Sequence, residues 1–264
     1  MPEFTALLPT LLPFLACVVA ATVVQNLTGF ALGLVLLGLV ELLHLVPIAE
    51  AANASMALSL VNAIAFFRAE RSRPPWRMMR PALLASLPGV VLGVALLAWL
   101  SLNATLWLRL LLGLAVLGSA VVLGRQGQAR AQPSAPPAFA VAGFLAGLLG
   151  GLFSTSGPPI VFHLYRQPFD AATIRRALVL VFSVNALTRM VLVTASGHLS
   201  TRSIVLGAVA VPVVMVVTHL CVRYPIPVRG RTLNLLAAGL LAITGSTLTL
   251  SAARLLAAAP AAVP

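Results

Sequence analysis

The chain has no lysine, only five acidic residues and only two cysteines in 264 positions. Each scarcity removes a class of explanation. With 8% charged residues the composition lies far from that of a water-soluble domain. Cys17 and Cys221 fall in separate apolar runs without paired spacing, so disulfide, zinc and iron–sulfur readings lack support and two small buried hydrophobes are expected. The net charge of +12 comes from arginines scattered over short loops, not from a basic face, which argues against nucleic acid as a partner. No P-loop motif occurs, so direct ATP drive is unsupported, and no cofactor or metal is implied. Met1-Pro-Glu-Phe-Thr lacks a positive n-region, so the first apolar run is expected to be a retained helix. Phe14-Leu-Ala-Cys17 resembles a lipoprotein cleavage box only weakly.

Long hydrophobic runs fill the space these absences leave. Hydrophobic residues make up 60% of the chain, and apolar runs recur at 7–25, 27–45, 48–67, 81–100, 105–124, 138–165, 177–196, 203–222 and 232–251. Most are near the ~20 residues that span a bilayer. The expected fold is an all-α polytopic membrane protein. The run 138–165 carries no charged residue and contains Gly150-Gly-Leu-Phe-Ser-Thr-Ser-Gly-Pro-Pro159. Pro158 and Pro159 supply no backbone N–H and disfavour the α region for the residue before them, so a helix break is expected there. Hydrocarbon does not tolerate unpaired backbone, so such a break belongs in packed protein or beside a wet cavity.

The arginines bear on whether 138–165 crosses once or turns back. With the loop 68–80 cytoplasmic, a single crossing puts nine loop arginines on one side and six on the other. A hairpin leaves only Arg202 and Arg254 outside, thirteen against two. The positive-inside rule favours the hairpin, with two arms of roughly 10 to 15 residues meeting near mid-membrane. Residues 7–45 allow a similar pair of arms around Asn26-Leu-Thr-Gly-Phe-Ala-Leu-Gly33.

The Pro-rich segment Gln126 to Pro137 divides the chain near its middle. Asn62-Ala-Ile matches Asn185-Ala-Leu at an offset of 123, Pro88 matches Pro212 at 124, and Gly118-Ser119 matches Gly245-Ser246 at 127. The expected organisation is a first membrane repeat at 1–124, a cytoplasmic linker at 125–137 and a second repeat at 138–264. Each repeat would be a broken-helix hairpin plus three transmembrane helices. An odd number of effective crossings per repeat makes the second copy inverted, as in many secondary transporters.

These residues resemble the sulfite exporter TauE/SafE family of membrane permeases. The similarity rests on Gly147-Leu-Leu-Gly-Gly-Leu-Phe-Ser-Thr-Ser-Gly-Pro-Pro159, on Gln25-Asn-Leu-Thr-Gly-Phe-Ala-Leu-Gly33, on an arginine opening the next helix (Arg175 or Arg176) and on the repeated layout. Where many members show glycines, this chain has Ser154-Thr155-Ser156, a departure that bears on substrate more than on fold. The resemblance implies export of small sulfur-containing anions such as sulfite or sulfonates.

A half-helix beginning after a small-residue break turns free N–H groups and its positive end toward the cavity. Gly151, Ser154, Thr155, Ser156, Gly157 and Pro158 are therefore the candidate anion-binding residues of the second repeat, with serine and threonine hydroxyls as donors. Asn26, Thr28, Gly29 and Gly33 are those of the first. The competing reading makes these small residues sites of close helix packing. Asn62 and Asn185, mid-helix in both halves, serve either as interhelical hydrogen bonds or as substrate contacts. Arg189 lies thirteen residues beyond Arg176, where it either faces an internal cavity or snorkels to the outer surface. Arg175 and Arg176 suit the cytoplasmic edge, and Glu41 and Glu50 a solvated outer turn. His163 and His219 are structural or relay protons.

The expected function is a secondary transporter, an exporter of small sulfur anions across the cytoplasmic, bacterial inner membrane, and not an enzyme. An anion channel is the near alternative. An intramembrane serine hydrolase using Ser156 and His219 is a distant one. The expected partners are a small anion and the lipid bilayer, with a homodimer as the candidate assembly.

Overall fold

A computed structural model describes residues 2–28, 30–70, 73–124, 130–154, 156–197, 199–224 and 230–258. Among them all regular structure is helical: α1 (Pro2–Thr28), α2 (Leu32–Leu42), α3 (Ile48–Glu70), α4 (Trp76–Asn103), α5 (Thr105–Gly124), α6 (Pro136–Phe153), α7 (Gly157–Tyr165), α8 (Ala171–Ala195), α9 (Thr201–Arg223) and α10 (Gly230–Ala258). Seven described helices, α1, α3, α4, α5, α6, α8 and α9, are long and apolar enough to cross a membrane. At 11 and 9 residues, α2 and α7 are about half the length a ~30 Å hydrocarbon core needs.

The second break is narrower than the sequence suggests, and its arms are unequal. Instead of leaving the helix at Gly150, α6 runs for 18 residues to Phe153. The reason is a glycine row at Gly143, Gly147 and Gly151 that lies against α4. A Cβ on these three residues would overlap the carbonyls of Ala82, Ser86 and Val90 in turn. Gly89 and Gly93 of α4 reciprocate against Phe144 and Leu148 of α6. The contacts ascend together on both helices, so α4 and α6 run parallel at a separation only small residues permit. This close packing offsets the poor helix propensity of glycine.

The chain leaves α6 at Ser154, whose φ of 55° is left-handed. It re-enters a helix at Gly157, with the prolines in the first turn of α7. There their missing N–H groups coincide with positions that have no helical partner anyway, so Pro158 and Pro159 open α7 rather than extend the break. The two ends of this unit lie together: Arg130 N–H donates to the Arg166 carbonyl (2.9 Å) and Ser134 N–H to Gln167 Oε1 (2.8 Å). Phe139 meets the His163 ring edge-on at 4.5 Å. α6 and α7 therefore form a hairpin.

In the first half, α1 and α2 meet at a similar tight corner. Ala31 adopts φ 84° before α2, and Gln25 Oε1 accepts the Leu32 N–H at 3.0 Å, supplying the cap that alanine lacks. The α8 start is capped by Asp170, which accepts the Thr173 N–H at 2.9 Å. That bond holds the Asp170 carboxyl below its ordinary value of 3.8.

Helix directions follow from the contacts. Gly113 faces Thr249 and Leu117 faces Gly245, so α5 and α10 are antiparallel. Ala52 and Asn53 meet Arg189 while Phe66 lies 5.9 Å from the Arg175 guanidinium, so α3 and α8 are antiparallel too. α4 packs chiefly on α6, and α1 on α9. Pro88 and Pro212 lie inside α4 and α9.

Two acidic residues depart from expectation. Glu41 is buried and pairs with Arg109 of α5 at 2.9 Å, and Glu50 pairs with Arg202 of α9 at 3.4 Å. Neither is a freely solvated surface charge. Each joins α2 or α3 to the start of a helix from elsewhere in the chain. Cys17 is buried in α1 as expected, whereas Cys221 is only half-buried.

Candidate functional site

The second break, α8 and α3 build one polar centre inside the helices. Asn185 and Arg189, four residues apart, share a face of α8. Asn185 Nδ2 donates to Ser156 Oγ at 2.6 Å, across the break. Gly150 lies directly beneath this pair, where a Cβ would stand 3.0 Å from Ser156 Oγ and 3.4 Å from Asn185 Cβ. Glycine at 150 therefore leaves room for the contact itself. Ser154 Oγ and Asn185 Oδ1 are buried without hydrogen-bond partners.

One turn further along α8, Arg189 has no accessible surface. It does not snorkel. Its Nε donates to the Gly151 carbonyl (2.8 Å), one terminal nitrogen to the Ala52 carbonyl (2.8 Å) and the other to Asn53 Oδ1 (3.0 Å). Met56 Sδ is a weaker contact at 3.8 Å. All these partners are neutral, and the ion pairs among the described residues engage other arginines. Burying an unpaired cation costs several kcal/mol after relaxation, which makes an anionic partner strongly favourable there. A cavity of about 410 Å³ between α3, α4 and α8 adjoins Arg189 and reaches Ala49, Ser101 and Ser196 at the helix ends. Arg189 borders that cavity from behind its wall, since its own surface is closed off.

The amides of α7 contribute less than the sequence suggests. Pro158 and Pro159 remove two N–H groups from its first turn, which leaves fewer main-chain donors there, and the side-chain donors at this break are the Ser154 and Ser156 hydroxyls and the Arg189 guanidinium. Gly151 serves packing against α4 while its carbonyl positions Arg189. Thr155 lies outside the described residues.

The first break differs. Asn26 Nδ2 reaches the Thr22 carbonyl (2.9 Å), Thr218 Oγ1 (3.1 Å) and Asn62 Oδ1 (3.2 Å), while the Thr218 hydroxyl donates to Asn62 Oδ1 at 2.7 Å. This closed cluster ties α1, α3 and α9 together and spends the Asn26 amide hydrogens internally. Asn26 Oδ1, an acceptor, is buried without a partner among the described residues. Gly33 is buried in α2. Gly29 and the Thr28 side chain lie outside the described residues.

Sequence reasoning missed Thr218, Asn53 and Ala52. Thr218 is one hydroxyl in a long apolar run beside the more conspicuous His219, and Ala52 acts through its carbonyl alone. His219 itself is exposed on α9, and Ser156 is held by an amide, which has no basic nitrogen. The hydrolase alternative thus lacks its base. Arg176 bonds Thr173 Oγ1 (3.1 Å) within the start of α8, and His163 sits half-buried between Phe139 and Gln167.

The profile of the family described as Sulfite exporter TauE/SafE matches residues 14–248. A curated protein of Cupriavidus necator, named "Probable sulfite/organosulfonate exporter TauE", is 37% identical over 235 residues, covering 89% of this chain and 92% of that protein. No solved structure matches the chain. With the family matched along most of its length and seven described helices able to cross a bilayer, the chain belongs to the sulfite exporter TauE/SafE family, a multi-pass cell-membrane transporter and not an enzyme.

Proposed function

We propose that this chain exports sulfite or organosulfonate anions as a secondary transporter, with the anion held at the second helix break. The observation that carries the reading is Arg189, a cation with no accessible surface whose four partners are all neutral. An oxyanion supplies the missing counter-charge. Ser154 and Ser156 add hydroxyl donors from the break, and Asn185 orients Ser156. The first break, by contrast, acts as a structural counterpart in which Asn26, Asn62 and Thr218 fasten three helices.

The halves 1–124 and 138–264 are inverted repeats joined by the linker 125–137 in this reading. The antiparallel pairs α3/α8 and α5/α10 support it, because an in-plane two-fold axis relates each helix to an oppositely directed copy. So does the exchange of the α4/α6 packing for α9/α1. In this reading the closed-off Arg189 marks an occluded arrangement, with the cavity between α3, α4 and α8 as the route to one side. Export of an anion from a negative interior is favoured by about 2.3 kcal/mol per charge at 100 mV. Nothing in the comparisons supports the homodimer expected from the sequence.

The test is efflux from proteoliposomes loaded with labelled sulfite or a small organosulfonate. Saturable flux that Ser156→Leu abolishes is the expected result. Fast flux that does not saturate would replace the carrier with a channel, and full activity in Ser156→Leu would remove the break from the site.

A further inference from the structure

A cavity of about 370 Å³ opens on the flank of the bundle between α4 and α8, away from Arg189 and the break. Trp76, Arg77 and Arg80 stand at the end where α4 begins, and Leu83, Leu84 and Leu87 follow along the helix, with Val184 contributed by α8. Leu87 lies eleven positions beyond Trp76, a rise of about 16 Å, close to half of the ~30 Å hydrocarbon thickness. The charge distribution puts the start of α4 on the cytoplasmic side, so the groove runs from that surface to mid-membrane. Its lining is apolar, with the aliphatic stems of Arg77 and Arg80 and the Trp76 ring at the end where α4 begins, and the two exposed guanidinium groups stand at its rim.

Two further features suit a ligand there. Arg77 and Arg80 are exposed, and the ion pairs among the described residues, Glu41–Arg109 and Glu50–Arg202, leave both without a carboxylate. Pro81 and Pro88 both lie inside α4, so the carbonyls of Arg77 and Leu84, four residues before each, lose their helical N–H donors. Both residues line the cavity.

We propose that this groove is a binding site for one anionic phospholipid of the cytoplasmic leaflet, its phosphate between Arg77 and Arg80 beside the Trp76 indole and an acyl chain along Leu83, Leu84 and Leu87. The recognition is charge complementarity at the headgroup combined with a slot one leaflet deep. It does not depend on what the protein transports. The lipid joins α4 to α8, the helix that carries Asn185 and Arg189, so occupancy stabilises the two walls of the central cavity.

Native mass spectrometry of the full chain in a neutral maltoside, titrated with phosphatidylglycerol and with phosphatidylcholine of the same chains, tests the site. Phosphatidylglycerol is expected to bind preferentially. Each arginine near the surface is worth a factor of about five, so the double variant Arg77→Gln/Arg80→Gln weakens binding on the order of 25-fold. Leu84→Trp, which fills the groove and leaves every charge in place, is expected to reduce binding as well and decides the matter if the double variant fails to insert. Arg68→Gln/Arg223→Gln, at a separate basic cavity between α3 and α9, is expected to keep parental binding. Unchanged phosphatidylglycerol binding in Arg77→Gln/Arg80→Gln or in Leu84→Trp overturns the proposal. So does an equal loss in Arg68→Gln/Arg223→Gln, or equal binding of sn-glycerol phosphate, which has no chains.

Discussion

Replacing Ser156 by alanine removes the acceptor that lies 2.6 Å from Asn185 Nδ2. Asn185 Oδ1 already has no partner, so the variant leaves a buried amide unsatisfied at both ends. In soluble cores an unpaired buried group costs about 1–3 kcal/mol. Hydrogen bonds between membrane helices average about 0.6 kcal/mol and reach about 1.7, because the unfolded chain in lipid also finds partners. Ser156 and Asn185 keep only 1% and 2% of their surface and the contact is short, which places this pair near the upper end, at about 1.5 kcal/mol. A double-mutant cycle measures it: Ser156→Ala, Asn185→Leu and the double variant, each unfolded in detergent micelles. The double variant should be more stable than the sum of the single losses predicts, by about 1–1.7 kcal/mol. Additivity within about 0.3 kcal/mol would refute the contact and with it the link between the break and α8.

Gly147→Val drives a side chain into the Ser86 carbonyl of α4, so size-exclusion chromatography should show loss of the monodisperse species, whereas Gly124→Ala, at an open position, should leave it unchanged. Ser154→Gly relieves a left-handed φ of 55° and is expected to raise the unfolding temperature, by about 1 kcal/mol of stability, while weakening anion binding through loss of the hydroxyl. A lower anion affinity without the stability gain would show that the strain is absent. Glu41→Arg sets two cations together at a contact of 2.9 Å and should lower the melting temperature, with Arg109→Glu on the same chain restoring most of it. Failure of that restoration would mean the pair does not hold α2 to α5.

The membrane class and the position of most helices are legible in the sequence because hydropathy reports burial in lipid directly. The hairpin at 138–165 is legible for a different reason: arginine placement and proline density constrain the turn. What was not legible is how glycines divide between breaking and packing. Gly151 reads as part of a break, yet with Gly147 four residues before it, it fits against α4 and keeps α6 helical. A single chain of residues does not reveal which helix will lie opposite. The same limit applies to Asn62 and Asn185, which match in sequence but differ in surroundings. Asn62 meets Asn26 and Thr218, whereas Asn185 meets Ser156. Glu41 reads as solvated because its partner, Arg109, sits 68 residues away on another helix.

Anion binding to the parent chain and to Arg189→Gln tests the central claim most directly. Glutamine places an amide where Arg189 Nε donates to the Gly151 carbonyl, while the charge is gone. An anion about 5 Å from the guanidinium, at an effective dielectric near 20, gains about 3 kcal/mol from it, a factor of roughly 150 in affinity. Calorimetric or thermal-shift titration with sulfite, sulfoacetate, taurine and small carboxylates should show one or more sulfur anions binding the parent and a loss of that order in a folded Arg189→Gln. Equal affinity in the two proteins would contradict the account and leave Arg189 as a helix staple alone.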